Sequence, residues 1–158
     1  MKKGIIAILS SVTGVSIGVL GAGNVLTKRI SEKQKMADKH LALFLLMNQW
    51  VKVKQEHKDI AQYLNEKGYK RIAIYGMSYV GERLYDELKV SDIEIVYAID
   101  KKADGIYAEV NMFTPDDDLP PVDAVIVTPV FFFHEIEEKL KNQTKADIMS
   151  LEDILYDL

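Results

Sequence analysis

Gly76 and Gly81, with Met77, Ser78, Tyr79 and Val80 between them, are followed after one further apolar run by a carboxylate at Asp100. Each residue type has a physical use here. A glycine at the end of a strand permits a tight turn, and a second one lets the following helix sit close against that strand. The helix start then presents unpaired N–H groups that suit a pyrophosphate. A carboxylate at the end of the next strand accepts hydrogen bonds from ribose hydroxyls and disfavours a 2′-phosphate. That weakly prefers NAD over NADP, while Lys101 and Lys102 oppose the preference. Ser78 departs from the pattern, which wants a glycine where the backbone comes nearest the phosphates. A serine there either crowds the approach or donates its hydroxyl to the phosphate. The expected binding set is Gly76, Met77, Ser78, Tyr79, Val80, Gly81, Asp100 and Lys101, joined by Thr128 and Pro129 from a later strand end. The alternative is a turn that keeps its shape beside an empty pocket.

Catalytic chemistry finds less support. The chain has no cysteine, which excludes thiolate nucleophiles, thiolate metal sites and disulfides. His134 has no identifiable acid or nucleophile beside it in the sequence and reads as an exposed or capping residue near a helix start. Asp116, Asp117 and Asp118 read as capping and solvated loop carboxylates, since no matching ligand cluster accompanies them. Tyr63 and Lys67 precede the glycine turn and do not fit the tyrosine and lysine pair of short-chain dehydrogenases. No catalytic residue and no metal site is expected, and no enzyme on its own. Phe131 and Phe132 read as core, as a partner surface, or as a stacking platform for a base or sugar.

The elements that must position these residues follow from periodicity. RIAIY, Arg71 to Tyr75, fits a buried parallel strand. Val80, Leu84 and Leu88 recur at helical spacing behind the turn, and Ile93 to Ile99 is the next strand. A short strand is expected around Glu109 to Phe113, then a helix or turn start at Thr114-Pro115-Asp116. Val122 to Val127 is a buried strand ended by Thr128-Pro129. Phe131 to Lys141 is a helix with Phe133, Ile136 and Leu140 inward, Ile148 and Met149 make a last short strand, and Leu151 to Leu158 a closing helix. This alternation predicts an α/β fold: a small Rossmann-like parallel sheet of about five strands in the order 3-2-1-4-5, with ligand at the carboxyl ends of the first and fourth strands.

Upstream, Gly4 to Thr27 carries no charge and is long enough as a helix to cross a hydrocarbon core of roughly 30 Å. Gly14, Gly18 and Ala22 share one face of it, as in helices that pair through small residues. Lys28, Arg29, Lys33, Lys35 and Lys39 follow, so a single-pass anchor with the C-terminal domain in the cytoplasm is expected; the alternative is a cleaved signal peptide and secretion. Ser31 can cap a helix that nothing interrupts from Glu32 to Lys67, with Gly68 as its stop. Leu43, Phe44, Leu46, Met47, Trp50 and Val51 make its middle apolar almost all round, so it must pack on the domain or on a second copy. The expected division is an anchor over 1–30, a helical neck over 31–68 and a nucleotide-binding domain over 69–158. Among 158 residues, a net charge of −4 and the lack of a basic run interleaved with aromatics in the C-terminal half argue against nucleic acid.

IAIYGMSYVG, VYAID and VDAVIVTP together resemble the nucleotide-binding domains attached to bacterial cell-surface polysaccharide enzymes, including N-terminal domains of sugar epimerase/dehydratase and acetyltransferase proteins described as NAD(P)-binding or CoA-binding-like. The resemblance covers about Tyr69 to Leu158. With the glycine turn and Asp100 it implies a module that binds a dinucleotide or nucleotide sugar and has an accessory or regulatory part in surface-polysaccharide biosynthesis; the apolar N-terminal segment adds the membrane anchor, and the neck and membrane helix together offer a homodimer surface. VDAVIVTP followed by His134 is also similar to sugar oxidoreductases whose next strand leads to a Glu-Lys-Pro lysine; here that region reads ADIMSLEDIL and the lysine is missing. The alternatives are an interaction module with an empty pocket and a subunit that completes an NAD-dependent sugar-modifying enzyme.

Overall fold

The computed structural model describes residues 2–102 and 109–158, with side chains from 28 onward. The chain divides into two compact units, Met1–Leu41 and Ala42–Leu158. Helix α1 (Lys2–Gln55) is followed by α2 (Ile60–Glu66), β1 (Arg71–Tyr75), α3 (Tyr79–Leu88), β2 (Glu94–Ile99), β3 (Met112–Phe113) and β4 (Ala124–Val127). A 3-10 turn (Val130–Phe132), α4 (Phe133–Leu140), β5 (Asp147–Ser150) and α5 (Leu151–Asp157) complete it. The sheet runs β3-β2-β1-β4-β5 with every pairing parallel, the order the sequence predicts.

Side chains of a strand alternate between faces, and both faces of this sheet are covered. Ile72 and Ile74 of β1 join Ile126 in a core with Leu84 and Leu88 of α3, Ile60 and Leu64 of α2 and Ile154 of α5. The intervening Ala73 and Tyr75 join Tyr97, Ile99, Val125 and Val127 on the other face, closed by Ile136 and Leu140 of α4. This double burial is why the strands read as unbroken apolar runs. Ile136 and Leu140 point inward as expected, and Phe133 is half-buried beside them.

The uninterrupted helix expected to Lys67 is broken. α1 ends at Gln55, His57 takes a left-handed φ of 58°, and Asp59 accepts a hydrogen bond from Ala61 N (2.8 Å) to start α2 afresh. The break needs neither glycine nor proline, because the Asp59 cap satisfies a helix-start N–H that the old helix would have used, and the new direction buries Ile60 and Leu64. Leu46, Trp50 and Val53 of α1 are buried in the sheet's core, so its last turns pack on the domain. Gly68, at φ 88°, follows α2 as its stop signal. Between β3 and β4 the chain makes a turn instead of a helix: Asp117 accepts from both the backbone N and the hydroxyl of Thr114 (2.6 and 2.8 Å). β3 is shorter than expected, and α4 is entered through the 3-10 turn. Among the described residues no helix is long and apolar enough to cross a membrane; the expected span from Gly4 to Thr27, with its small-residue face, lies outside the described side chains.

Candidate functional site

β1 runs out at Tyr75, and the chain must then reverse into α3 within a few residues. Gly76 makes this possible with φ 91°, where a side chain is strained, and a Cβ there would also stand 2.7 Å from Pro129 Cγ. A Cβ on Gly81 would stand 2.0 Å from the Gly76 carbonyl oxygen, so the first turn of α3 rests directly on the strand end. The turn is tied to both neighbouring strands. Gly76 N donates to Ile99 O at the end of β2 (2.7 Å), and Thr128 at the end of β4 donates its hydroxyl to Gly76 O (2.7 Å) and Tyr75 O (3.1 Å).

Asp100 reaches the same turn. One carboxylate oxygen accepts from Met77 N and the other from Lys102 N, each at 3.0 Å. Among the described residues, two of its roughly four acceptor directions are therefore in use.

The reversal of strand order between β1 and β4 leaves a crevice beyond their carboxyl ends. A cleft of about 370 Å³ lies there, lined by Tyr75, Gly76, Asp100, Lys101, Pro129, Phe132, Glu135 and Ile136. It opens on the α4 side of the sheet. Of the residues expected from the sequence, Gly76, Asp100, Lys101 and Pro129 line it. Met77, Val80, Gly81 and Thr128 are buried around the turn, and Ser78 and Tyr79 face solvent. Ser78 stands at the N-cap of α3 without a capping bond from its side chain.

Tyr75, Glu135 and Ile136 were not expected in the site, and Phe132 only in one of its three readings, as a stacking platform. Tyr75 precedes the glycine and reads as one more apolar strand residue, while the other three belong to the segment after β4, whose distance from the turn no local pattern reveals. Tyr75 is only 5% exposed, and among the described residues its phenol has no hydrogen-bond partner. Among the described residues no fully buried side-chain oxygen lacks a partner, so this one meets the cleft. Burial pushes the Tyr75 phenol above its ordinary value; Lys139 opposes this, and Asp100, Glu135 and Asp116 add to it. At neutral pH it is a protonated donor facing two carboxylates and an apolar wall.

The remaining candidates have structural positions. His134 is almost fully exposed, with Nδ1 3.9 Å from Glu137. Asp116 pairs with Lys139 (2.6 Å), and among the described residues no group of three acidic, histidine or cysteine side chains could hold a metal ion. Tyr63 donates to Asp157 (2.9 Å), and burial with that bond pushes its phenol up to about 12. Phe131 and Phe132 meet edge to face at 5.2 Å, both partly exposed, and only Phe132 borders the cleft. Compared with known protein families, characterised proteins and solved structures, the chain matches none.

Proposed function

We propose that this domain is a binding module for a ribose-bearing nucleotide ligand, held at the carboxyl edge of the sheet between β1 and β4. The observation that carries the reading is the cleft itself: a protonated Tyr75, the remaining acceptor directions of Asp100 and the apolar wall of Pro129, Phe132 and Ile136 converge at the switch point of a parallel sheet. Hydroxyls of a ribose satisfy the carboxylate and the phenol, and a base or a second ring covers the apolar wall. The Asp100 carboxylate favours NAD over NADP. In this reading the N-terminal segment tethers the module to a membrane, and its role is accessory or regulatory in surface-polysaccharide assembly, as the resemblance of its motifs implies. A second reading, an interaction module, is supported by Phe44, Leu45 and Val51, which stand exposed on α1 beside the buried Leu46 and Trp50.

The test is the melting temperature of the full-length chain in mild detergent with NAD, NADP, coenzyme A and nucleotide sugars. A ligand at 100 times its dissociation constant stabilises by about 2.7 kcal/mol, a shift of several degrees. Such a shift is expected with at least one of these ribose-bearing ligands. No shift with any of them, from protein that melts cooperatively, contradicts the reading in favour of the interaction module.

A further inference from the structure

One N–H of the glycine turn is, in this chain, already given to an anion. Met77 N donates to the Asp100 carboxylate at 3.0 Å, and Glu82 in the first turn of α3, 3.7 Å from Arg83, is a second carboxylate at the same helix end. Asp100 thus places a negative charge beside the start of α3, and a phosphate brought there meets that like charge and finds the Met77 N–H already taken. None of the residues from Ser78 to Gly81 lines the cleft, whose charged members are Asp100, Glu135 and Lys101. The polar group that does point to a ligand is the buried Tyr75 phenol, without a hydrogen-bond partner among the described residues, on the α4 side of the sheet and away from α3.

We infer that the cleft recognises the nucleoside end of its ligand, through Tyr75, Asp100 and the wall of Phe132 and Ile136, and that the phosphates contribute almost nothing because Asp100 holds the Met77 N–H and sets a like charge beside the glycine turn. This rests on the nucleotide-binding reading above. The Ser78 hydroxyl is a single exposed donor and does not offset two carboxylates.

The experiment is calorimetric titration of the full-length protein with adenosine, guanosine and uridine and with the 5′-diphosphate of each, at low and at high salt. The nucleoside that binds is expected to bind within about threefold of its diphosphate, less than about 0.7 kcal/mol apart, with little dependence on salt. A diphosphate that binds more than about tenfold tighter, with affinity falling as salt rises, overturns this inference and leaves the nucleotide-binding reading standing. Absence of binding by all six overturns both.

Two variants sharpen the outcome. Tyr75→Phe keeps the ring and should weaken nucleoside and diphosphate by the same factor, about tenfold for one lost hydrogen bond. Asp100→Ala frees Met77 N and removes the charge, so the ratio of diphosphate to nucleoside affinity should rise about tenfold. A ratio unchanged in a folded Asp100→Ala protein contradicts this account of the phosphates, and the wild-type ratio decides the matter should that variant not fold.

Discussion

A methyl group at position 81 would stand 2.0 Å from the Gly76 carbonyl oxygen, closer than any van der Waals contact, and the atom it meets is backbone that two strands hold in place. Gly81→Ala is therefore expected to cost on the order of 3 kcal/mol, read as a lower urea midpoint, and to disturb the cleft through Gly76. A midpoint like that of the wild type would show that α3 can move away from the strand. The two glycines were legible from sequence because their roles are local: one needs a left-handed φ, the other a close approach. Asp100 was legible as an acid at a strand end, but its bond to Met77 N depends on how far β2 reaches past the turn, which spacing alone does not state. Tyr75 was invisible as a site residue, since nothing in RIAIY distinguishes a buried tyrosine that ends in a cleft from one that ends in the core.

Elements are joined at the opposite end of the sheet by one loop carboxylate. Asp123 accepts from Lys70 N (2.8 Å) and Arg71 N (2.7 Å), while its own N donates to Arg71 O (2.7 Å), so the starts of β1 and β4 are pinned together. These backbone bonds, with Arg71 nearby, hold its carboxyl below the usual carboxylate value. A group whose folded pKa is depressed contributes stability that is fully present above its unfolded value of about 4 and is lost as pH falls through the lower folded value. Melting temperature should accordingly fall on acidification below about pH 4, and Asp123→Asn should melt lower than the wild type at neutral pH and lose less on acidification. An identical acid slope in the two proteins would assign the loss to other carboxylates. The strands and their order were readable because burial on both faces leaves continuous apolar runs bounded by turns. The break between α1 and α2 was not, because Asp59 and His57 carry no glycine or proline signal and the decision belongs to where Ile60 and Leu64 find a core.

At the scale of the whole domain, the two faces of the sheet have different tasks. α1, α2, α3 and α5 cover one face and supply most of the buried apolar surface, while α4, with Leu119 and Val122, covers the other and lines the cleft at the carboxyl edge with its first turn. The apolar middle of α1 makes sense in this arrangement, since Leu46, Trp50 and Val53 complete the first core, and Trp50 Nε1 also donates to Glu87 of α3 (2.9 Å). The proposed function requires a ligand on the α4 side of the glycine turn. Backbone amide shifts of the isotope-labelled full-length protein, recorded while titrating the nucleotide that raises its melting temperature most, test this directly. The largest changes are expected at Gly76, Lys101, Phe132 and Glu135. Changes confined to the groove between α1 and α3, around Met47, Trp50 and Arg83, would contradict the assignment of the site.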